Sequence, residues 1–587
     1  MSLQSHLSSI VGRAFAHLGL PAEHGQVLVS QRQELSQFQC NGAMAAAKDD
    51  ERSSHEIATA VVRQLGTYPQ IAHVEVAGPG FINISVTDET LTEWANTTAQ
   101  HSHLGYDVAT YPVTVVVDYA GPNVAKAMHV GHLRATIIGD ALARIFRFAG
   151  HSVVRDPHFG DWGFQMGLVI SAIQEEQPDL PYFDPEAVEF PATSPVTLDD
   201  LQRIYPDAAD RAANDKDFAE RARMATVKLQ SSDPGYLALW RHMKNVSEES
   251  QRRDFAALGV EFDLWYGESD VDHLIAPMVD RLEAEGIAEE SEGALVVFIG
   301  LPDDNREWPP LFLKSRTGAF MYSTTDLATI QYRVDELGAK LMLYVVDRRQ
   351  ADHFVQVFRA ARKGGIAPED VVMEHNWFGT MNGPDGKPFK TREGGVVRLG
   401  DVIQMITDAA KRRIDEADLA SEYPEEERQR IAAQVGVAAL KFGDLINNRT
   451  SDYVFDLDRF SSFEGKTGPY LQYAAVRIKS ILRKAEEAGF ATGSILSPAH
   501  VTERALVLHL LQFPEVVDRA VELRAPNHIA DYAFNLASEF NRFYDSCHIL
   551  SEGDPDQRGS WLGISAWTLA TLELVLHLLG IDIPDRM

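Results

Sequence analysis

Two histidines, His129 and His132, are the first residues in the chain whose type and spacing suggest chemistry. They belong to the tetrapeptide HVGH at 129–132, between an apolar run and a stretch with helical periodicity. Neutral imidazole N–H groups can donate to phosphate oxygens, helix amino termini attract anions, and Gly131 lets a flat base approach the backbone. The tetrapeptide alone leaves two other interpretations open: a pair of surface histidines, or a metal-binding pair with no obvious third ligand nearby.

The elements around this tetrapeptide predict a βαβ unit. The β-branched apolar run at 113–119 is typical of a strand buried on both faces of a parallel sheet. The stretch at 133–149 has a helical apolar face, Gly150 is placed to end that helix, and 151–159 resumes as a strand. Ligands of doubly wound sheets bind at the carboxyl ends of the strands, so HVGH lies where a ligand is expected.

The rest of the chain divides into regions of different pattern. Residues 1–110 predict a small α+β domain, with two strands joined by a turn at 72–86. Residues 111–400 predict an α/β, Rossmann-like doubly wound parallel sheet, with further strands at 343–347 and 371–378 and a polar insertion at about 180–300. Residues 401–587 have apolar stripes of period 3.6 and predict an all-α helical bundle.

Composition excludes several classes of protein. The 587 residues include 54 Lys and Arg against 85 Asp and Glu, a formal charge of −31, which argues against a surface that coats nucleic acid non-specifically. Two distant cysteines, Cys40 and Cys547, exclude a disulfide framework and a thiolate-rich zinc site. The apolar stretch at 561–581 carries Glu573 and His577 at helical spacing, which predicts a buried helix. We expect a cytoplasmic protein without membrane contact.

Segments along most of the chain carry a resemblance to one family. They are GPGFINI at 78–84, DYAGPNVAKAMHVGHLRATIIGDALAR at 118–144, HFGDWGFQMG at 158–167, GAFMYSTTDLA at 318–328, YVVDRRQADHF at 344–354, GKPFKTREGGVV at 386–397, SFEGKTGPYLQYAAVRIKSI at 462–481 and IPDRM at 583–587. In this order they closely resemble arginyl-tRNA synthetases, class I enzymes whose HIGH motif corresponds to HVGH.

The resemblance implies an arginine–tRNA ligase. Such an enzyme joins L-arginine to ATP as arginyl-adenylate, releases pyrophosphate, and transfers arginine to the 3′ end of tRNA(Arg). Mg²⁺ would enter with ATP, no structural metal would be bound, and the protein would be a monomer. The resemblance also assigns tRNA binding to 1–110, catalysis to 111–400 and anticodon binding to 401–587. The family's enzymes generally need bound tRNA even for the first step, and we expect the same here.

The resemblance further assigns the phosphate-binding residues. KPFKTR stands where class I enzymes carry a KMSKS loop, and Lys390 corresponds to its phosphate-binding lysine. Where that loop is degenerate, the lysine upstream of HIGH is thought to compensate, and this lysine corresponds to Lys126. The catalytic candidates are Lys126, His129, His132 and Lys390, and the ATP-binding candidates are His129, Gly131, His132 and Lys390.

An arginine site needs carboxylates and neutral acceptors, because a guanidinium has five donors and a permanent charge. Tyr322 and Asp326 are four residues apart on one face of a predicted helix, Asp118 stands at the end of the first predicted strand, and Gln350 follows a predicted strand. These four correspond to guanidinium-recognition positions in the family, and Asn123 and His132 to positions near the α-amino and carboxylate groups. The arginine-binding candidates are thus Asp118, Asn123, His132, Tyr322, Asp326 and Gln350.

The tRNA candidates lie near the two ends of the chain. The stretch at 470–484 carries four basic residues and no acid, and basic side chains beside aromatic ones can hold phosphates and stack unpaired bases. By resemblance, the tRNA-binding candidates are Phe81, Asn83, Tyr473, Arg477, Tyr544 and Met587.

Two alternatives remain open at this point. Another class I synthetase, such as a cysteinyl enzyme, would share HVGH and a helical tail, but would need a zinc site built from thiolates. A non-catalytic RNA-binding relative would keep the fold and would be expected to lack HVGH or Lys390, both of which are present.

Overall fold

The computed structural model of the chain describes residues 2–30, 32, 36–316, 318–387, 389, 397–419 and 422–587. The predicted Lys390 lies outside these residues. Within them, the chain forms an amino-terminal α+β region, a central α/β region and a helical carboxyl-terminal region, as the sequence predicts.

The amino-terminal region contains an antiparallel four-stranded sheet of order β1-β2-β4-β3. Its elements are α1 Leu3–His17, β1 Val27–Val29, β2 Phe38–Cys40, α2 Gly42–Ala46, α3 Ser54–Leu65, β3 Ile71–Ala77, β4 Phe81–Val86 and α4 Asp88–Ala99. The hairpin predicted at 72–86 is confirmed as β3 and β4. Its turn contains Gly78 and Gly80 at φ values of +52° and +133°, which side chains with a Cβ rarely adopt.

The central region is built on a parallel sheet of order β11-β10-β5-β6, so the predicted doubly wound sheet is confirmed. Its elements are β5 Thr114–Tyr119, α5 Val130–Phe148, β6 Ser152–Asp156, α6 Phe164–Glu176, α7 Leu198–Asn214, α8 Lys216–Gln230, α9 Pro234–Ala257, α10 Asp272–Ala284, β7 Glu289–Ser291, β8 Ala294–Val297, β9 Leu311–Lys314, α11 Tyr322–Asp335, β10 Ala339–Val345, α12 Ala351–Lys363, β11 Val372–His375 and β12 Met381–Asn382. β6 ends before the predicted limit, because Pro157 follows it and His158 has a φ of +40°.

The region at 180–300 contains three long helices, α7 to α9, followed by α10. The antiparallel sheet β7-β8-β9 comes next, and the sequence analysis did not predict it. Its strands have only three or four residues, and the two glutamates of β7 hide the alternation of apolar and polar side chains that indicates a strand.

The carboxyl-terminal region is a bundle of helices, as predicted. Its elements are α13 Leu399–Glu416, α14 Glu425–Leu445, β13 Tyr453–Val454, α15 Leu457–Phe460, α16 Gly468–Glu487, α17 Val501–Leu510, α18 Phe513–Leu523, α19 Asn527–Ser546 and α20 Pro555–Leu578. By length and composition alone α20 could cross a membrane, but 61% of its most apolar stretch is buried inside the protein. It is therefore best described as a core helix.

Helix α5 lies between the central sheet and the bundle, and two of its charged residues, Arg134 and Asp140, are paired with α14. Arg134 Nε lies 2.9 Å from Asp444 Oδ2, and these two side chains are 2% and 1% exposed. Further along α5, Asp140 Oδ2 lies 3.7 Å from Lys441 Nζ and 2.9 Å from Arg144 Nε. These buried pairs fix α5 relative to the carboxyl-terminal region.

Candidate active site

The amino terminus of α5 is closed by its own two histidines. His129 is the N-cap residue, and its Nδ1 accepts from the Gly131 N–H at 3.0 Å. In return, the His129 N–H donates to His132 Nδ1 at 3.0 Å, and the two rings are 4.0 Å apart. Since both Nδ1 atoms accept from backbone N–H groups, the proton of each neutral ring stands on Nε2 and is available to an oxygen acceptor.

Both imidazoles are held neutral. Burial lowers the pKa of His129 to about 4, and the charge of Lys126 adds to this effect. Burial also lowers the pKa of His132 to about 3, with His129 and Lys126 contributing further. HVGH therefore offers hydrogen-bond donors without permanent charge, and the nearby positive charge comes from Lys126.

The described residues that flank 390–396 are held by backbone hydrogen bonds, and those on the downstream side bond directly to residues beside HVGH. Upstream, the Phe389 N–H donates to the Met381 carbonyl at 3.1 Å, and β12 pairs with β13. Downstream, the Val130 N–H donates to the Val397 carbonyl at 3.0 Å, and Leu399 donates to Met128 at the same distance.

The segment between β5 and α5 has an unusual backbone. Ala120, Gly121 and Ala125 have φ values of +77°, +53° and +63°. The left-handed region costs a residue with a Cβ about 1–2 kcal/mol, so the surrounding structure has to hold this segment in place. Asn123 lies inside it, and its Oδ1 accepts from Gln165 Nε2 at 3.1 Å. Lys126, the next residue after Ala125, is exposed.

A buried cluster of charges lies at the carboxyl ends of β5 and β6. Arg333 Nη2 is 2.7 Å from Asp118 Oδ2 and 2.6 Å from Asp156 Oδ2. Burial opposes the ionisation of Asp156, but Arg333 and His158 together outweigh it and lower the pKa of Asp156 to about 2. Burial raises the pKa of Asp118. Burial also opposes the charge of His158, which lies 3.7 Å from Asp156, but the hydrogen bonding and the charge of Asp156 together raise the pKa of His158 to about 9.

A second group of residues lies at the start of α11. Asp326 Oδ2 is 2.7 Å from His353 Nε2, and the His353 ring is 4.8 Å from the ring of Tyr322. Tyr322 is 60% exposed, and Gln350 is exposed at the end of the 3-10 turn Arg348–Gln350. Tyr322 and Gln350 are therefore accessible to solvent, and Gln350 follows the carboxyl end of β10, the edge at which ligands of doubly wound sheets bind; we call this edge, with the residues of the two groups, the crevice.

Glu268 joins the two groups. Its Oε2 accepts from the Trp162 N–H at 3.1 Å, and it lies close enough to His158 and Asp326 for their charges to act on it. Burial raises the pKa of Glu268 to about 7, and the charge of Asp161 adds to the effect. Among the described residues, Asp118 and Asp156 are paired with Arg333, whereas Asp326 and Glu268 form no ion pair with an Arg or Lys side chain and can accept from a ligand. The crevice is suited to a cationic ligand.

Family models match almost the whole chain. The model described as tRNA synthetases class I (R), catalytic domain, matches residues 97–457. The models described as Arginyl tRNA synthetase N terminal domain and DALR anticodon binding domain match 1–86 and 471–587. The chain belongs to the arginyl-tRNA synthetase family.

Similar proteins agree with this membership. The arginine–tRNA ligase of Maricaulis maris is 50% identical, and that of Hyphomonas neptunium 48%, with 100% of both chains covered in each comparison. The crystal structure of the arginyl-tRNA synthetase from Plasmodium falciparum matches with a TM-score of 0.81, covering 100% of this chain and 99% of that chain at 23% identity, and supports the fold. The alternative of a cysteinyl enzyme is not favoured.

The candidates for tRNA binding occupy separate places in this synthetase. Arg477 stacks on Tyr544, with its guanidinium carbon 4.5 Å from the ring centre, and Tyr473 lies one turn earlier on α16 with 41% exposure. Met587 is half-buried and packs with Tyr423 and Phe463.

The two amino-terminal candidates differ in accessibility. Phe81 is half-buried at the start of β4, whereas Asn83 is buried. Its amide accepts from Gln39 at 3.0 Å and donates to Glu75 at 3.3 Å, so both of its polar atoms are engaged within the sheet.

Sequence reasoning missed five charged or titratable residues of the crevice, which are Asp156, His158, Glu268, Arg333 and His353. His158 and His353 lie within segments that carried the resemblance, and Glu268 follows a Gly in the sequence WYGESD. Without the fold, none of these has a spacing that distinguishes it from a surface charge. Only the tertiary structure shows that they surround one crevice.

The neutral state of the two α5 histidines can be tested by NMR on protein with ¹³C-labelled histidine. Because both pKa values lie far below the ordinary value of about 6.5, their ring signals should not shift between pH 5.5 and 8. Loss of single signals in His129→Gln and His132→Gln identifies them. A signal from either ring with a midpoint above pH 6 would contradict the reciprocal cap.

Proposed function

We propose that this chain is an arginine–tRNA ligase that activates L-arginine with ATP and transfers it to the 3′ end of tRNA(Arg). The observation that carries this proposal is the acid-rich crevice beside the capped amino terminus of α5. Asp326 and Glu268 have no Arg or Lys partner among the described residues, which suits a guanidinium, and the imidazole N–H groups of His129 and His132 together with Lys126 suit phosphates.

The reaction proceeds in two steps without a protein nucleophile. The carboxylate of arginine attacks the α-phosphorus of ATP, which carries Mg²⁺ as part of the substrate, and pyrophosphate leaves. A ribose hydroxyl at the end of the tRNA then attacks the carbonyl carbon of the adenylate, and AMP leaves. Catalysis comes from positioning and from stabilising charge on the phosphates. His129 and His132 donate from Nε2, and Lys126 and Lys390 supply positive charge.

Arginine selection rests on carboxylates that can still accept hydrogen bonds from the substrate. Asp326 uses one oxygen for His353 and keeps the other for a guanidinium, and Tyr322 stands one turn away. Glu268 offers a second carboxylate on the same crevice. Asp118 is already paired with Arg333, so its contribution is to balance the charge of Arg333 beside the arginine site. A neutral or shorter amino acid leaves buried acids unpaired, which disfavours it without proofreading.

The remaining assignments extend the same proposal. Residues 1–110 and 401–587 bind tRNA on either side of the catalytic part at 111–400, with Tyr473, Arg477, Tyr544 and Met587 at the anticodon. Phe81 is favoured over Asn83 at the tRNA D-loop, because the amide of Asn83 is engaged. The enzyme acts as a monomer in the cytoplasm.

The activity is tested directly by aminoacylation. Purified protein with ATP, Mg²⁺ and total tRNA should form aminoacyl-tRNA with arginine and with none of the other nineteen amino acids. The measurement is acid-precipitable label from each amino acid in turn. The absence of arginyl-tRNA with active, correctly folded protein would refute the proposal.

The guanidinium site is tested by Asp326→Ala. Loss of a charge-assisted hydrogen bond of about 1.5–3 kcal/mol should raise the KM for arginine about 10- to 150-fold, while the KM for ATP changes little. Asp335→Ala is the matched control, because Asp335 is an exposed acid at the other end of the same helix. An unchanged arginine KM in Asp326→Ala would remove this residue from the pocket.

Glu268 predicts a pH dependence of arginine binding. Its pKa of about 7 means that it becomes protonated as the pH falls through 7, and the protonated form attracts a guanidinium less. The arginine KM should therefore rise below pH 7, by up to about tenfold per pH unit, and Glu268→Gln should have a higher KM without this rise. The KM for ATP measured over the same range is the control. Equal pH profiles in wild type and variant would contradict the assignment.

A further inference from the structure

Helix α9, in the region at 180–300, bonds to the segment that leads into HVGH. Ser247 Oγ accepts from the Ala125 N–H at 2.9 Å, and Gln251 Nε2 donates to the Asn123 carbonyl at 3.0 Å. The two side chains are four residues apart, so they lie on one face of the helix, and they are 0% and 2% exposed. This contact between α9 and the segment is therefore shielded from solvent.

The direction of the Ser247 bond is fixed by a second bond. Its hydroxyl proton is donated to the Met243 carbonyl at 2.8 Å, one turn earlier in α9. The oxygen is left to accept from Ala125 and cannot exchange roles. No water is needed to explain the geometry, since the donor and acceptor are in direct contact.

Helix α9 is itself fixed against the rim of the crevice. Lys244 Nζ lies 2.7 Å from Asp161 Oδ2, and Asp161 also accepts from the Ser269 N–H at 2.9 Å. The preceding residue, Gly160, pairs with the same segment from another direction, because its carbonyl accepts from the Val124 N–H at 3.0 Å. The segment at 122–125 is thus held both by α9 and by the residues that anchor α9.

Ala125 is the residue that requires this support. Its φ of +63° lies in the left-handed region, which a Cβ disfavours, and its N–H is the group that Ser247 holds. Lys126 follows directly, and its Nζ lies 6.0 Å from the ring centre of Tyr205 on α7. Helices α7 and α9, both in the region at 180–300, therefore contact Lys126 or the residue before it.

We infer that Ser247 is a positioning residue for ATP: it holds Ala125 in the left-handed conformation and so directs Lys126 toward the phosphates, with Gln251 fixing the same segment at Asn123. This inference rests on the proposed phosphate contact of Lys126. It gives the region at 180–300 a role in the first step of the reaction, without any contact between Ser247 and substrate.

The principal variant is Ser247→Ala, which removes the acceptor and little volume. It should lower kcat/KM for ATP about tenfold, a change of about 1.4 kcal/mol, and leave the KM for arginine unchanged. Ala125→Gly in the Ser247→Ala background should recover most of this loss, because glycine adopts a positive φ without a steric penalty. A purely structural role for Ser247 would not be relieved by glycine at 125.

The control variant is Ser565→Ala on α20. Ser565 is 0% exposed, and its hydroxyl donates to the carbonyl four residues earlier at 2.8 Å, as that of Ser247 does. It should change thermal stability to a similar degree and leave ATP kinetics at the wild-type level. If Ser247→Ala behaves like this control, or if glycine at 125 recovers nothing, the inference is wrong.

A cycle with Lys126→Ala separates the inference from the proposal on which it rests. Ser247→Ala should have little further effect in the Lys126→Ala background, since the lysine that it positions is gone. If Lys126→Ala leaves ATP kinetics unchanged, the proposed phosphate contact fails instead.

Amide hydrogen exchange tests, independently of activity, whether Ser247 restrains this segment. The peptide covering 119–128 should exchange faster in Ser247→Ala than in wild type or Ser565→Ala. Equal exchange in all three proteins would overturn the inference whatever the kinetics show.

Discussion

Helix α5 carries two of its ion pairs, Arg134–Asp444 and Asp140–Lys441, inside the protein instead of at the surface. Asp444 Oδ2 receives Arg134 Nε and the Tyr453 hydroxyl, each at 2.9 Å, and Lys441 donates to the Gly580 carbonyl at 2.6 Å beside Asp140. Breaking a buried pair by removing one partner costs about 3–5 kcal/mol, whereas exposed pairs contribute little. Such pairs specify one position of the helix. The amino terminus of α5, which bears His129 and His132, is therefore fixed in position as well.

The same pairs connect the other parts of the active site. Tyr453, which bonds to Asp444, belongs to β13, and β13 pairs with β12, upstream of 390–396. The described residues downstream of 390–396 bond to residues 128–130. The described residues on the two sides of 390–396 are thus tied to α5, directly through residues 128–130 on one side and through β12, β13 and α14 on the other.

Much of this architecture follows from local sequence patterns. The β-branched run at 113–119 and the helical periodicity after HVGH are sufficient for β5 and α5, and Gly150 ends the helix at a φ of +97°, as expected. The charge cluster is different, because Asp118, His158, Glu268 and Arg333 come from four places in the chain. Their pKa shifts arise from burial and mutual contact, which periodicity cannot report. The resemblance supplied the residues with motifs around them and missed Glu268 for this reason.

The charge of −31 also acquires a more specific meaning in the folded protein. The basic stretch on α16 is less positive than its sequence suggests, because Lys479 lies 3.1 Å from Glu573 and Arg483 lies 3.9 Å from Glu487. Arg477 keeps its charge but is stacked on Tyr544. Under the proposed assignment, tRNA contact at this surface depends on aromatic faces and a few cations more than on a broad positive field. Repulsion from the acidic background would then disfavour RNA that lacks matching unpaired bases.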